Sequence, residues 1–174
     1  GMNNLSFHIT DIMTNSIRAK ASEIGLFIEE RDLRITIRIA DNGLGMDAGT
    51  IARVTNPFYT TRTTRKVGLG IPFLIQNAEQ TGGAVSITSQ PGKGTVVTAS
   101  FCSNHIDCPP WGDLPGTVAM LITGNPDINI CFEYQAVKTV FSISTSEIKE
   151  ILDGIPLSYP KVMLLVKEMI KENI

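Results

Sequence analysis

Four groups of residues in the first hundred positions have types and spacings suited to chemistry. Asp11, Asn15 and Arg18 stand at i, i+4 and i+7, which places them on one polar face of a helix. Asp41 closes an alternating segment and opens the run Asp41-Asn42-Gly43-Leu44-Gly45-Met46. Between Asp47 and Glu79 the charged residues are Arg53, Arg62, Arg65 and Lys66, all positive. Gly68-Leu69-Gly70 then leads into an apolar segment of helical period.

Each group suits one part of a nucleotide. A carboxylate at Asp41 can accept from an adenine amino group and reject bases without that donor, because a buried acceptor left unpaired is costly. Gly43 and Gly45 allow the backbone to approach a base closely. Asn15 offers a carbonyl oxygen, a hard ligand for Mg²⁺ on phosphates, and Arg18 can reach phosphate oxygens. Gly68, Leu69 and Gly70 ahead of a helix present backbone N–H groups and the positive dipole end to an anion. The basic stretch containing Arg62 reads as a lid over it.

Any one of these alone has a plainer reading. Asp-Asn-Gly-Leu-Gly is an ordinary turn sequence, and three basic residues in a loop are usually solvated; it is their occurrence together, in this order, that points to a nucleotide. Pro91-Gly92-Lys93-Gly94-Thr95 is not a phosphate-binding P-loop, since it joins two strands. Neither glycine pair continues to the third glycine of a dinucleotide fingerprint. His8, on the same helix, reads as a polar surface residue. Cys102, His105 and Cys108, with Cys131, are spaced like partial metal ligands but read better as idle thiols.

The elements that must position these groups follow from periodicity. Asn4 to Ala21 reads as a helix with Ile9, Ile12, Met13 and Ile17 on its apolar stripe. Ile24–Glu29 and Leu33–Ala40 read as strands, the second alternating cleanly. A short helix over Asp47–Val54, a loop over Thr55–Gly70 and a helix over Ile71–Thr81 follow, with Pro72 in its first turn and Gly82-Gly83 at its end. Val85–Ser89 and Thr95–Phe101 form a hairpin. Beyond it, Thr117–Thr123, Ile128–Tyr134 and Thr139–Ile143 read as strands, and Ser146–Leu152 and Tyr159–Glu172 as helices.

The 174 residues carry a net charge of −2, with 43% hydrophobic and 18% charged residues, which excludes a disordered chain and disfavours a nucleic-acid binder. No apolar run is long enough to span a bilayer, and no secretory leader is evident, so a cytoplasmic location is expected. Residues 1–101 hold ten Lys and Arg against eight Asp and Glu; residues 102–174 hold five against nine. The shift falls at a Pro- and Gly-rich stretch. The expected division is a domain over 2–103, a linker over 104–116 and a C-terminal α+β extension over 117–174.

Residues 5–101 resemble the histidine-kinase-like ATPase superfamily, which has the Bergerat fold. Asp11–Ala21 is similar to its N-box, Asp41–Met46 to its Asp-x-Gly-x-Gly box, Asn56–Arg62 to the phenylalanine box before its ATP lid, and Val67–Ile71 to the glycine box after it. Thr81-Gly82-Gly83 and Pro91–Thr95 match its closing helix and hairpin, most like those of bacterial sensor histidine kinases. The resemblance implies an α+β fold, a two-layer sandwich with a mixed, mostly antiparallel sheet. It implies ATP and Mg²⁺ as ligands, with Asn15 on the metal and Asp41 on adenine. Arg18, Gly43, Gly45, Met46, Phe58, Arg62, Gly68, Leu69 and Gly70 would complete the nucleotide site. Asp11 stands where the superfamily's hydrolases carry a Glu general base. About ten residues precede the N-box, so a phosphoacceptor is expected on a separate protein partner. A kinase of histidine-kinase type is the leading expectation. A nucleotide-dependent switch and a simple ATPase are the alternatives.

Overall fold

The computed structural model describes residues 3–58 and 66–174. The elements are α1 (Leu5–Arg18), β1 (Glu23–Arg31), β2 (Arg34–Asp41), α2 (Ala48–Val54), α3 (Lys66–Gln80), β3 (Ala84–Gln90), β4 (Gly94–Cys102), α4 (Leu114–Thr123), β5 (Asn129–Ala136), β6 (Thr139–Ser144), α5 (Thr145–Leu152) and α6 (Pro160–Asn173).

Alternation along the strands fixes one buried face. Leu26 lies opposite Ile39 across β1–β2, Ile39 opposite Val97 across β2–β4, and Leu26 beside Phe132 across β1–β5; all four are buried. The neighbours one residue on, Phe27, Arg38, Thr98 and Glu133, point to the opposite, open face, where the Arg38 guanidinium lies 4.3 Å above the Phe27 ring. The sheet has six strands in the order β3-β4-β2-β1-β5-β6. β1 and β5 run parallel, and the other pairings are antiparallel. The fold is a two-layer α+β sandwich with a mixed, mostly antiparallel sheet.

The helices cover the buried face. Leu5, Ile9, Ile12 and Met13 of α1 join Ile71, Leu74 and Ala78 of α3 over the first four strands. The Asn4 side chain accepts from the Phe7 N–H at 2.8 Å and starts α1. Gly82, at φ +85°, ends α3: Gly83 N–H donates to the Ala78 carbonyl at 2.9 Å and Gly82 N–H to that of Glu79 at 3.0 Å.

Residues 104–116, expected as a linker, are bonded to α1. Leu5 N–H donates to the Pro110 carbonyl at 2.9 Å and Ser6 N–H to that of Trp111 at 3.1 Å, which satisfies donors that a helix start leaves unpaired. Residues 114–174 continue the same sheet through β5 on β1, and Val118, Ile122, Phe132 and Ile170 belong to the same core as Leu26. Burial of such side chains stabilises by roughly 1.5–3 kcal/mol each.

Three local expectations are corrected. Thr117–Thr123 is helical, part of α4. Asp113 accepts from the Gly116 N–H at 3.0 Å, and Pro115 sits at the helix start; these outweigh the strand preference of Thr117, Val118 and Ile122. α3 begins at Lys66, so Gly68, Leu69 and Gly70 lie within it and Pro72 falls inside the helix. His8 is buried at 1% exposure, between α1 and α3.

Candidate functional site

Where α1, the end of β2 and the β3–β4 hairpin meet, they enclose a cavity of about 140 Å³. Its walls are Ile12, Ile39, Val54, Ile71 and Val97, with Met46 beside them; its polar groups are Asn15, Ser16, Asp41 and Thr95. Such a lining suits a flat, mostly apolar ligand with a few directed hydrogen bonds.

Asp41 is the most constrained polar group there. Its Oδ1 accepts from the Gly43 N–H at 2.8 Å, and its Oδ2 from the Ser16 hydroxyl at 2.6 Å. The glycines beside it are required by close approach. A Cβ on Gly43 would stand 2.6 Å from the Ala19 carbonyl oxygen; one on Gly45, at φ +72°, would stand 1.9 Å from that of Gln90. The loop is fastened to the hairpin: Gly92 N–H donates to the Leu44 carbonyl at 2.6 Å and Met46 N–H to Ser89 Oγ at 2.8 Å. Ser89 Oγ lies 2.8 Å from Thr95 Oγ1, and Thr95 sits opposite Asp41 in the β2–β4 register.

A second, open cavity of about 960 Å³ lies along α1 and α3, lined by Phe7, Asp11, Pro57, Gly70, Phe73 and Glu79 among others. Asp11 is half-buried. Burial raises its carboxyl above the ordinary range, and the charge of Arg18 opposes that rise. A Cβ on Gly70 would come within 3.2 Å of the Asp11 side chain, so the glycine leaves room for the carboxylate.

The structure thus brings together Asn15, Asp41, Gly45 and Met46 around the small cavity, with Gly43 behind Asp41, and Asp11 and Gly70 along the larger one. Gly68 and Leu69 lie in the first described turn of α3. Arg18 is exposed and lines neither cavity; Phe58, 79% exposed, lines neither. Arg62 lies outside the described residues. Cys102, Cys108 and Cys131 are free thiols, and among the described residues no group of three His, Cys, Asp or Glu is placed to hold a metal ion. No helix among the described residues is long and apolar enough to cross a membrane.

Sequence reasoning missed Ser16, Ser89, Thr95 and the aliphatic walls. Ser16 carried a signal, as a polar residue continuing the Ile9, Ile12, Met13 stripe. Thr95 becomes legible only with the strand register.

Residues 3–104, more than half of the chain, match the model of the family described as histidine kinase-, DNA gyrase B-, and HSP90-like ATPase. Among curated relatives, the sensor histidine kinase YxdK of Bacillus subtilis is 30% identical over 106 residues, covering 56% of this chain and 32% of that protein. The sensor protein kinase FleS of Pseudomonas aeruginosa is 35% identical over 93 residues, covering 52% of this chain and 23% of that protein. The chain therefore spans about a third or less of these relatives. A crystal structure of the N-terminal domain of a DNA repair protein aligns over 81% of this chain and 51% of its own, with a TM-score of 0.57 at 18% identity, a likeness of fold. That coverage exceeds what residues 3–104 alone supply, so the shared architecture reaches into the C-terminal part. The chain belongs to the histidine-kinase-, gyrase B- and HSP90-like ATPase family and carries its ATP-binding domain.

Proposed function

We propose that this chain binds Mg·ATP with the base in the small cavity and the phosphates toward Asp11 and the first turn of α3, and that it transfers the γ-phosphoryl group to a separate protein. The observation that carries the reading is the Asp41 carboxylate, held by two donors on the wall of a mostly apolar cavity. Asp41 would accept from the adenine amino group, and the fixed glycine loop would leave room for the ring. Asn15, one turn from Asp11 on α1, lines the same cavity. Its amide oxygen fits Mg²⁺, which is held by one or two protein oxygens together with phosphates and water. The bound ion would neutralise phosphate charge. Arg18, Arg62 and the N–H groups of Gly68 and Leu69 would bind phosphate oxygens, and Asp11 would orient the attacking group. Catalysis of this kind is mostly positioning and charge stabilisation.

A second reading, a nucleotide-dependent switch, is favoured by one polar chain. The Asn42 side chain accepts from Ser22 N–H at 2.9 Å, Asn129 N–H donates to the Ser22 carbonyl at 2.9 Å, and Asn129 Oδ1 accepts from the Ser146 hydroxyl at 3.0 Å. The base-pocket loop is thereby linked to the start of α5. Incubation with γ-labelled ATP and candidate partners separates the readings. Label on a partner supports the kinase, and free phosphate alone an ATPase. Nucleotide-dependent partner binding without either product supports the switch.

A further inference from the structure

Asp41 is oriented by a residue that belongs to none of the sequence motifs' expected contacts. Ser16 lies on the buried side of α1 at 3% exposure, lines the small cavity, and donates its hydroxyl to Asp41 Oδ2 at 2.6 Å. The Gly43 N–H holds the other oxygen at 2.8 Å. With one donor on each oxygen, the plane of the carboxylate is set. The single hydroxyl proton of Ser16 is committed to Asp41, so Ser16 cannot also donate to a ligand. Asp41 and Ser16 together therefore offer a ligand acceptors only.

Two purine classes differ at the matching edge. A 6-aminopurine presents an N–H donor. A 6-oxopurine presents a carbonyl, which would face acceptor against acceptor and leave buried groups unpaired.

We propose that Ser16 is a positioning residue that makes this cavity selective for 6-aminopurine over 6-oxopurine nucleotides, acting through the Asp41 carboxylate. The inference rests on the base-pocket reading given above. Once the Ser16 hydroxyl is removed, Asp41 is held at one oxygen and can turn about its side-chain torsion. A water in the vacated place can donate to a ligand carbonyl as readily as to Asp41. Discrimination then falls further than adenine affinity itself.

The test is titration calorimetry of the full chain with Mg·ADP and with Mg·IDP, its hypoxanthine counterpart, for the natural sequence, Ser16→Ala, Ser16→Cys and Ser16→Thr. The natural chain is expected to prefer ADP by on the order of 100-fold or more, as sites built around a required donor do. Ser16→Ala and Ser16→Cys are expected to lower that preference by about tenfold, the effect of losing one hydrogen bond to a charged group. Ser16→Thr, which keeps the hydroxyl, should retain it. Ser16→Cys keeps the side-chain volume close to that of serine, so the result does not depend on the alanine variant folding. A preference within about twofold of the natural chain's in both the Ala and Cys variants, whatever their melting temperatures, would overturn the proposal and leave Ser16 a packing residue. Equal binding of ADP and IDP by the natural chain would overturn it too. Binding of neither nucleotide would overturn the base-pocket reading itself.

Discussion

His8 offers a test of the packing between α1 and α3, the two helices that form one wall of both cavities. Its ring is buried against Phe73, with centroids 5.1 Å apart, and its Nε2 lies 2.7 Å from the Asn77 amide nitrogen. Asn77 donates there, so the ring is neutral, with its proton on Nδ1; that atom is buried with no hydrogen-bond partner among the described residues. Protonation would turn Nε2 into a donor facing a donor and place a charge among apolar side chains. Burial accordingly lowers the pKa from 6.5 to about 4. The unfolded chain then binds the proton more readily than the folded one between those values, so stability is full above pH 6.5 and falls as pH drops toward about 4. At roughly 1.4 kcal/mol per pH unit, the whole window is worth about 3 kcal/mol, of which about 2 should be lost by pH ~5. This is a substantial part of the roughly 5–15 kcal/mol that holds a domain folded. Urea unfolding of the natural chain and of His8→Phe at about pH 7 and about pH 5 isolates the effect, because every other titrating group is common to both. The natural chain should lose about 2 kcal/mol more than the variant over that interval. Parallel losses would refute the assignment of His8 as a neutral, buried base.

Other outcomes follow from the same geometry. Gly45→Ala requires the Gln90 carbonyl to move from a 1.9 Å overlap and adds left-handed strain at φ +72°. It should lower stability by about 2–4 kcal/mol, read as a fall in melting temperature, and weaken ADP binding; an unchanged melting curve would contradict the docked loop. Asn15→Ala should abolish the Mg²⁺ dependence of ATP affinity while ADP still binds without metal, and persistence of that dependence would exclude the chelating role. A fragment ending at residue 103 would strip β5 from β1 and the Pro110 and Trp111 carbonyls from the start of α1. It should be insoluble or lack a cooperative transition. A folded fragment with full ADP affinity would show that the added strands are dispensable to the nucleotide site.

The sequence was legible where one physical signal dominated. The Leu33–Ala40 alternation marks β2 because one face is buried and the other open, and the Ile9, Ile12, Met13 spacing marks α1 for the same reason at a helical period. α4 was not legible: Leu114–Thr123 is apolar on nearly every side, so it has no period to separate helix from strand, and only the Asp113 cap decides. The depth of His8 was hidden because α1 is covered on two sides, by the sheet and by α3, which widens its buried face beyond the apolar stripe. Asp41 and the glycine loop could be read from residue types. Their partners, Ser16, Ser89 and Thr95, depend on strand register and on which side of α1 meets β2, neither of which is local in the chain.

The proposed nucleotide site depends on Asp41 as the acceptor of the adenine amino group. Its most direct test is calorimetric titration of Mg·ADP into the natural chain and into Asp41→Asn, with thermal unfolding of both. Saturable binding at one site is expected in the natural chain, with a loss of roughly 100-fold or more in the variant at an essentially unchanged melting temperature. Undiminished affinity in Asp41→Asn, or no binding by the natural chain, would contradict it.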